Sequence, residues 1–175
     1  MQPVEHRAID RQETNARRFL ALRGVIVIKE TKDIGHVRSF NLWQIAVSTL
    51  LLAKVQGDDR DMLYAVQIEQ KKDDIAAASA IVDYDELPEL IAALDFIYST
   101  GSVMRNEERD GTEVTYRTKE DARFGFYQLG RTQQHFIHLQ QNAETINIAS
   151  TSVGQIKDLL NQARDHLEAK GASIV

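Results

Sequence analysis

One apolar frame occurs twice in this chain, and it limits the possible folds more than any other feature. Ser79 to Ile97, SAIVDYDELPELIAALDFI, ends a β-like run and opens an amphipathic helix. Thr145 to Leu167, TINIASTSVGQIKDLLNQARDHL, repeats that order. A shift of 66 positions sets Ala80 on Ile146, Val82 on Ile148, Leu87 on Val153, Leu90 on Ile156 and Leu94 on Leu160 without a gap. In the first helix Leu87, Leu90, Ile91, Leu94 and Ile97 form one stripe at helical spacing. Val153, Ile156, Leu159, Leu160, Ala163 and Leu167 do so in the second.

The punctuation of the two helices is also legible. Asp85 is the expected N-cap of the first, Pro88 sits in the first turn where a missing N–H costs nothing, and Gly101 is the expected C′ residue. Asp83, Asp85, Glu86 and Glu89 crowd the end where the helix dipole favours an acid by roughly 0.3 to 1 kcal/mol each. Ser152 and Gln155 have capping-box spacing in the second helix, and Gly171 closes it. The closing glycines are 70 apart against the frame shift of 66, which predicts a second helix about one turn longer.

Strands precede each helix. GVIVIKE from Gly24 and LWQIAVSTLLLAKV from Leu42 are β-branched and apolar, and the second is long enough to need a bend or bulge. In MLYAVQIEQ the residues Met62, Tyr64, Val66 and Ile68 fall on one face and Leu63, Ala65, Gln67 and Glu69 on the other, and AAASAIV is a further short strand. The second half offers TEVTYRT, ARFGFYQ, HFIHLQQ and TINIAS, with turns at KED and NAE. Short polar turns favour antiparallel meanders. The predicted class is therefore α+β: two tandem units of antiparallel strands, each followed by one amphipathic helix, packed as one domain. Residues 1–22 read as a polar tail with a frayed helix near Asn15 to Leu22. Residues 23–175 form the single domain, with unit one at 23–101 and unit two at 102–171.

Composition bounds the function. A chain of 175 residues with 43% hydrophobic and 27% charged content can build a substantial core. No apolar run is long enough to span a bilayer as a helix, and no secretory signal opens the chain, so the expected setting is cytoplasmic and away from membranes. Without cysteine there is no disulfide, thiol nucleophile or thiolate metal site. A net charge of −5 disfavours general binding to polyphosphate.

The order of elements resembles the tandem ββββα layout of the Whirly proteins. As a single unit it resembles the domain of related single-stranded-DNA-binding transcriptional coactivators. The likeness covers residues 23–171 and is one of topology, since the lysine-rich KGKAALS-type signature of Whirly proteins has no counterpart here. The resemblance implies sheets that carry a nucleic-acid surface and helices that fasten the two halves.

Two windows sharpen the search for a surface. Ile34 to Gly57 and Ala122 to Ala143 contain no acid, although the chain average would put about three in each; they carry Arg38 with Lys54 and Arg123 with Arg131. Burial of strands explains such windows as readily as a binding surface does. If Val114, Tyr116, Phe124, Phe126, Ile137 and Leu139 face the core, strand parity places Arg117, Arg123, Tyr127, Phe136 and His138 on the opposite face. Aromatics with arginine suit a protein interface, and they also suit stacking on single-stranded nucleic acid.

Catalytic patterns are absent from the sequence: there is no Walker loop, GxGxxG, HExxH or GxSxG. His135 and His138 on one strand point to opposite faces and cannot share a metal. Asp58, Asp59 and Asp61 lack the spacing of a calcium loop, and no cofactor is implied. Trp43, in parity with Ile45 and Val47, is expected in the core. The expectation is a non-catalytic binding or protein-interaction module that forms homo-oligomers. The alternative is a Whirly-like single-stranded nucleic-acid binder using the second sheet.

Overall fold

A computed structural model describes residues 12–174. After a short helix α1 (Asn15–Leu20), the chain builds β1 (Ile26–Arg38), β2 (Gln44–Gln56), β3 (Asp59–Lys72) and β4 (Ile75–Asp83). A single 3₁₀ turn, Tyr84–Glu86, leads into α2 (Leu87–Met104). The second unit repeats the order with β5 (Arg109–Arg117), β6 (Arg123–Gly130), β7 (Thr132–His138), β8 (Ile146–Ile148) and α3 (Ser150–Ala169). Each set of strands is an antiparallel meander in sequence order, giving two four-stranded sheets. The fold is α+β with two tandem units, each closed by a helix.

All ten residues aligned by the 66-residue shift are buried, and they belong to one hydrophobic cluster shared by both sheets and both long helices. The helices cross between units: α2 packs mainly on β5 and β6, whereas α3 lies on β1, β2 and β3, and the two helices also pack on each other. Each unit's helix thus covers apolar surface of the other unit, and fully burying a Leu or Ile contributes about 1.5–3 kcal/mol.

The strand β2 is buried on both faces. Ile45, Val47 and Leu51 enter the shared core, while Leu50 and Leu52 join Ala16, Ala65 and Ile81 in a smaller cluster under α1. This explains why its sequence reads as nearly continuous apolar residues. The irregularity expected in β2 falls in its neighbour, with a register shift between Asp33 and Gly35 of β1. There a Cβ on Gly35 would lie 2.8 Å from Leu159 Cδ2 of α3. The KKDD turn uses positive φ at Asp73 and Asp74, 53° and 61°. Both residues tolerate this region through their short polar side chains.

The helix ends differ from the sequence reading. Asp85 does not cap α2; it is exposed, and its carboxylate lies 3.9 Å from Lys119 Nζ. Pro88 does occupy the first turn, but Gly101 lies inside the helix, which continues to Met104. The carbonyls that a C′ glycine would have helped satisfy are met by side chains of the second sheet. Gln128 donates to Met104 O at 2.8 Å, and Gln133 to Gly101 O at 3.0 Å. The helix α3 begins at Ser150, and no side chain caps it, so the Ser152–Gln155 box is not formed. At 20 residues against 18, α3 is longer than α2 by two residues rather than a full turn.

Within the stretch read as tail, residues 14–20 are docked. Thr14 and Ala16 are fully buried, and Thr14 caps α1 by accepting the Arg17 N–H at 3.2 Å. Glu120, in the turn between β5 and β6, receives Arg17 Nε at 2.7 Å, Thr14 Oγ1 at 3.3 Å and the Ile81 N–H at 2.9 Å. One buried carboxylate from unit two therefore ties together the N-terminal helix and the edge of the first sheet.

Candidate binding face

The face of the second sheet turned away from the core carries all five residues singled out by strand parity. Cross-strand pairing sets Arg117 beside Arg123 and Arg123 beside His138, one row across β5, β6 and β7. The next row holds Thr115, Gly125, Phe136 and Asn147, and the one after it holds Glu113, Tyr127 and Gln134. Tyr127 is 45% exposed, and Phe136 is half-buried.

Two physical constraints shape this surface. Gly125 is required by close approach of the strands, because a Cβ there would stand 2.0 Å from the Val114 carbonyl oxygen. The row containing Phe136 is consequently shallow in its middle. The charge on the row beside it is largely countered. Asp121, held at a φ of 64° in the β5–β6 turn, lies 3.3 Å from Arg123 Nη2 and 3.7 Å from Arg117 Nη1. His138 Nδ1 is 3.0 Å from Thr145 Oγ1. The acid-free window Ala122 to Ala143 spans β6 and β7, but Glu113 on β5 and Asp121 in the turn bring acids to the same face. The other window, Ile34 to Gly57, contains β2, where burial on both faces accounts for the missing acids.

The opposite face holds groups that the sequence reading missed. Gln128 is fully buried, and His135 is 3% exposed. With Gln133 they form a polar patch beneath the end of α2, where Arg105 Nη2 reaches Gln133 Oε1 at 3.4 Å. The signal was present in β6, where Phe124, Phe126 and Gln128 share one parity and the third is polar. Burial, reinforced by the Arg105 charge, lowers the His135 pKa to about 4. Its Nε2 meets no hydrogen-bond partner among the described residues. Its ring packs against Phe126, with the centroids 5.3 Å apart. Burial, with Glu86 and Glu89 nearby, pushes the Tyr116 hydroxyl up to about 12.

Trp43 is partly buried against the core, donates from Nε1 to Glu144 at 3.2 Å and has Lys72 Nζ 5.4 Å from its ring centroid. Asp61 pairs with Lys54 at 3.0 Å, and among the described residues no group of three or more His, Asp or Glu is placed to hold a metal ion. An open cleft of about 460 Å³ lies beside α1, lined by Gln12, Glu13, Arg17, Ser79, Glu120 and Gln140. Its principal charged groups, Arg17 and Glu120, are engaged with each other. No described helix is long and apolar enough to cross a membrane.

Comparison with protein-family models, with curated proteins and with solved structures found no significant match to this chain.

Proposed function

We propose that the chain is a non-catalytic protein-interaction module that self-associates in the cytoplasm, with the outer face of β5–β7 as a contact surface for a protein partner. The observation that carries this reading is the position of Asp121 between Arg117 and Arg123. Asp121 lies against both guanidiniums and Glu113 shares the face, two acids for two cations, which leaves a nearly neutral, half-open surface of Tyr127, Phe136 and His138. Aromatics and arginine with little net charge are the composition of a protein interface. Polyphosphate would have to compete with Asp121 for both cations.

A second reading is single-stranded nucleic-acid binding of the Whirly kind, supported by the placement of Tyr127 and Phe136 on adjacent strands one row apart. Bases could stack there, with Arg117 and Arg123 flanking them.

Fluorescence anisotropy with labelled single-stranded oligonucleotides at low and moderate salt separates the two. The interaction reading expects no binding at low salt, together with self-association in sedimentation. Tight, salt-sensitive binding that Arg117→Ala/Arg123→Ala protein loses would replace it with the second reading.

A further inference from the structure

Among the described residues, the first sheet leaves one long edge uncovered, at β1. The other edges are managed in ways that natural sheets commonly use. At the β4 edge, Glu120 takes the Ile81 N–H, and α1 packs alongside. At the edges of the second sheet, β8 has only three residues, and the β5 register breaks between Arg109 and Thr112. By contrast, β1 runs thirteen residues, and Ile28 to Asp33 are exposed throughout. Among the described residues β1 pairs on one side only, with β2.

The charges on this edge follow a particular order. Lys29, Glu30, Thr31, Lys32 and Asp33 read plus, minus, neutral, plus, minus. None of the four charged residues has an ion-pair partner among the described residues. Charged residues on an edge ordinarily repel a second strand, but this order does the reverse when it meets itself antiparallel about Thr31. Lys29 then lies opposite Asp33 of the partner subunit, Glu30 opposite Lys32 of the partner subunit, and Thr31 opposite Thr31 of the partner subunit. Cross-strand neighbours share a face, so the pairs add on both sides of the joint sheet.

The neighbouring registers are excluded by like charges. Slipping one residue in either direction sets Lys29 opposite Lys32 of the partner subunit, or Glu30 opposite Asp33 of the partner subunit. Slipping two sets Glu30 or Lys32 opposite its own copy. Each such contact is repulsive, so the register centred on Thr31 stands alone among them.

We propose that β1 is a homodimer edge: two chains pair antiparallel through Lys29 to Asp33 about a two-fold axis at Thr31, joining their first sheets into one eight-stranded sheet. This rests on the self-association proposed above and names its surface, which is separate from the outer face of β5–β7. A contact built from one strand pair is small, so the dimer is reversible, with a Kd on the order of 10–100 µM, and it weakens with salt.

The test is sedimentation equilibrium of the full chain over a concentration series, with folding checked by circular dichroism. The wild type is expected to dimerise. Lys29→Glu/Lys32→Glu protein, whose edge is wholly negative, and Glu30→Lys/Asp33→Lys protein, whose edge is wholly positive, are each expected to weaken dimerisation by at least about tenfold. An equimolar mixture of the two is expected to dimerise. The chain contains no cysteine, so the Thr31→Cys variant should form a covalent dimer under mild oxidation. Dimers that persist in both charge variants, or variants that stay monomeric when mixed, overturn the β1 edge. If Arg117→Ala/Tyr127→Ala breaks the wild-type dimer while the charge variants do not, self-association stands and this surface falls. A wild type monomeric at every concentration removes both.

Discussion

Asp83 and Ala16 are joined across 67 residues: the Asp83 Oδ1 accepts the Ala16 backbone N–H at 3.0 Å, while its Oδ2 accepts that of Asn15 at 2.7 Å. The carboxylate that ends β4 is therefore the N-terminal anchor of α1, a six-residue helix too short to hold itself together. Asp83→Ala leaves two N–H groups without acceptors, one of them on a fully buried residue, and should cost about 2–3 kcal/mol. Urea denaturation measures the loss, and trypsin cleavage after Arg17 or Arg18 should accelerate. An unchanged midpoint and cleavage rate would show that α1 is held by its apolar contacts alone.

Glu86 is buried, and its Oε1 accepts the Lys119 N–H at 2.8 Å, while Oε2 meets no donor among the described residues. Burial raises its pKa despite that hydrogen bond and the Lys119 charge. A carboxyl whose folded pKa lies above its unfolded value costs stability as pH rises through that range, and costs nothing below both. Glu86→Gln keeps an acceptor for Lys119 and removes the charge. Its midpoint at pH 7 should equal or exceed wild type, with the difference shrinking in acid. A loss at pH 7 would mean that the ionised form is favoured.

The cation of His135 is disfavoured in the fold, so the neutral form is again the favoured one, but the direction in protons is the reverse of that for Glu86: the folded chain binds fewer. With a folded pKa of about 4 against 6.5 unfolded, the unfolded chain binds more protons between those values. Stability is full above the unfolded pKa and falls as pH drops towards 4, by about 3 kcal/mol in all. Denaturation midpoints from neutral to pH 4.5 should fall less steeply in His135→Leu protein. Parallel slopes would assign the acid limb to other groups.

Two glycines meet different neighbours and should respond differently. Gly125→Ala drives a Cβ into the Val114 backbone, which cannot yield without moving β5 from β6, and should cost at least about 3 kcal/mol. Gly35→Ala meets only the Leu159 side chain, whose rotamer can change. The thermal midpoints should rank wild type, Gly35→Ala, Gly125→Ala in descending order, and an inverted order would refute this account.

What was legible in the sequence was periodic. Leu87 with Val153, Leu90 with Ile156 and Leu94 with Leu160 advertise buried stripes because helical spacing is a local property. The five-residue face followed from β alternation in the same way. The roles of the acids in DYDE were not legible. Asp83, Asp85 and Glu86 all lie within reach of the start of α2, yet Asp83 holds α1, Glu86 holds the β5–β6 turn, and Asp85 faces solvent. Those partners lie tens of residues away, so no spacing rule reports them. The same holds for Gly101, where Gln128 and Gln133 arrive from another sheet to take over part of a cap.

The sequence by itself determined two strand-and-helix units and which side of each element is apolar, because burial selects a repeat that matches 3.6 or 2 residues. Only the tertiary structure decided that α2 covers the second sheet while α3 covers the first, that Glu120 seals one edge, and that β1, among the described residues, leaves another open. These depend on which surfaces meet, and contact between distant segments obeys no period in the chain.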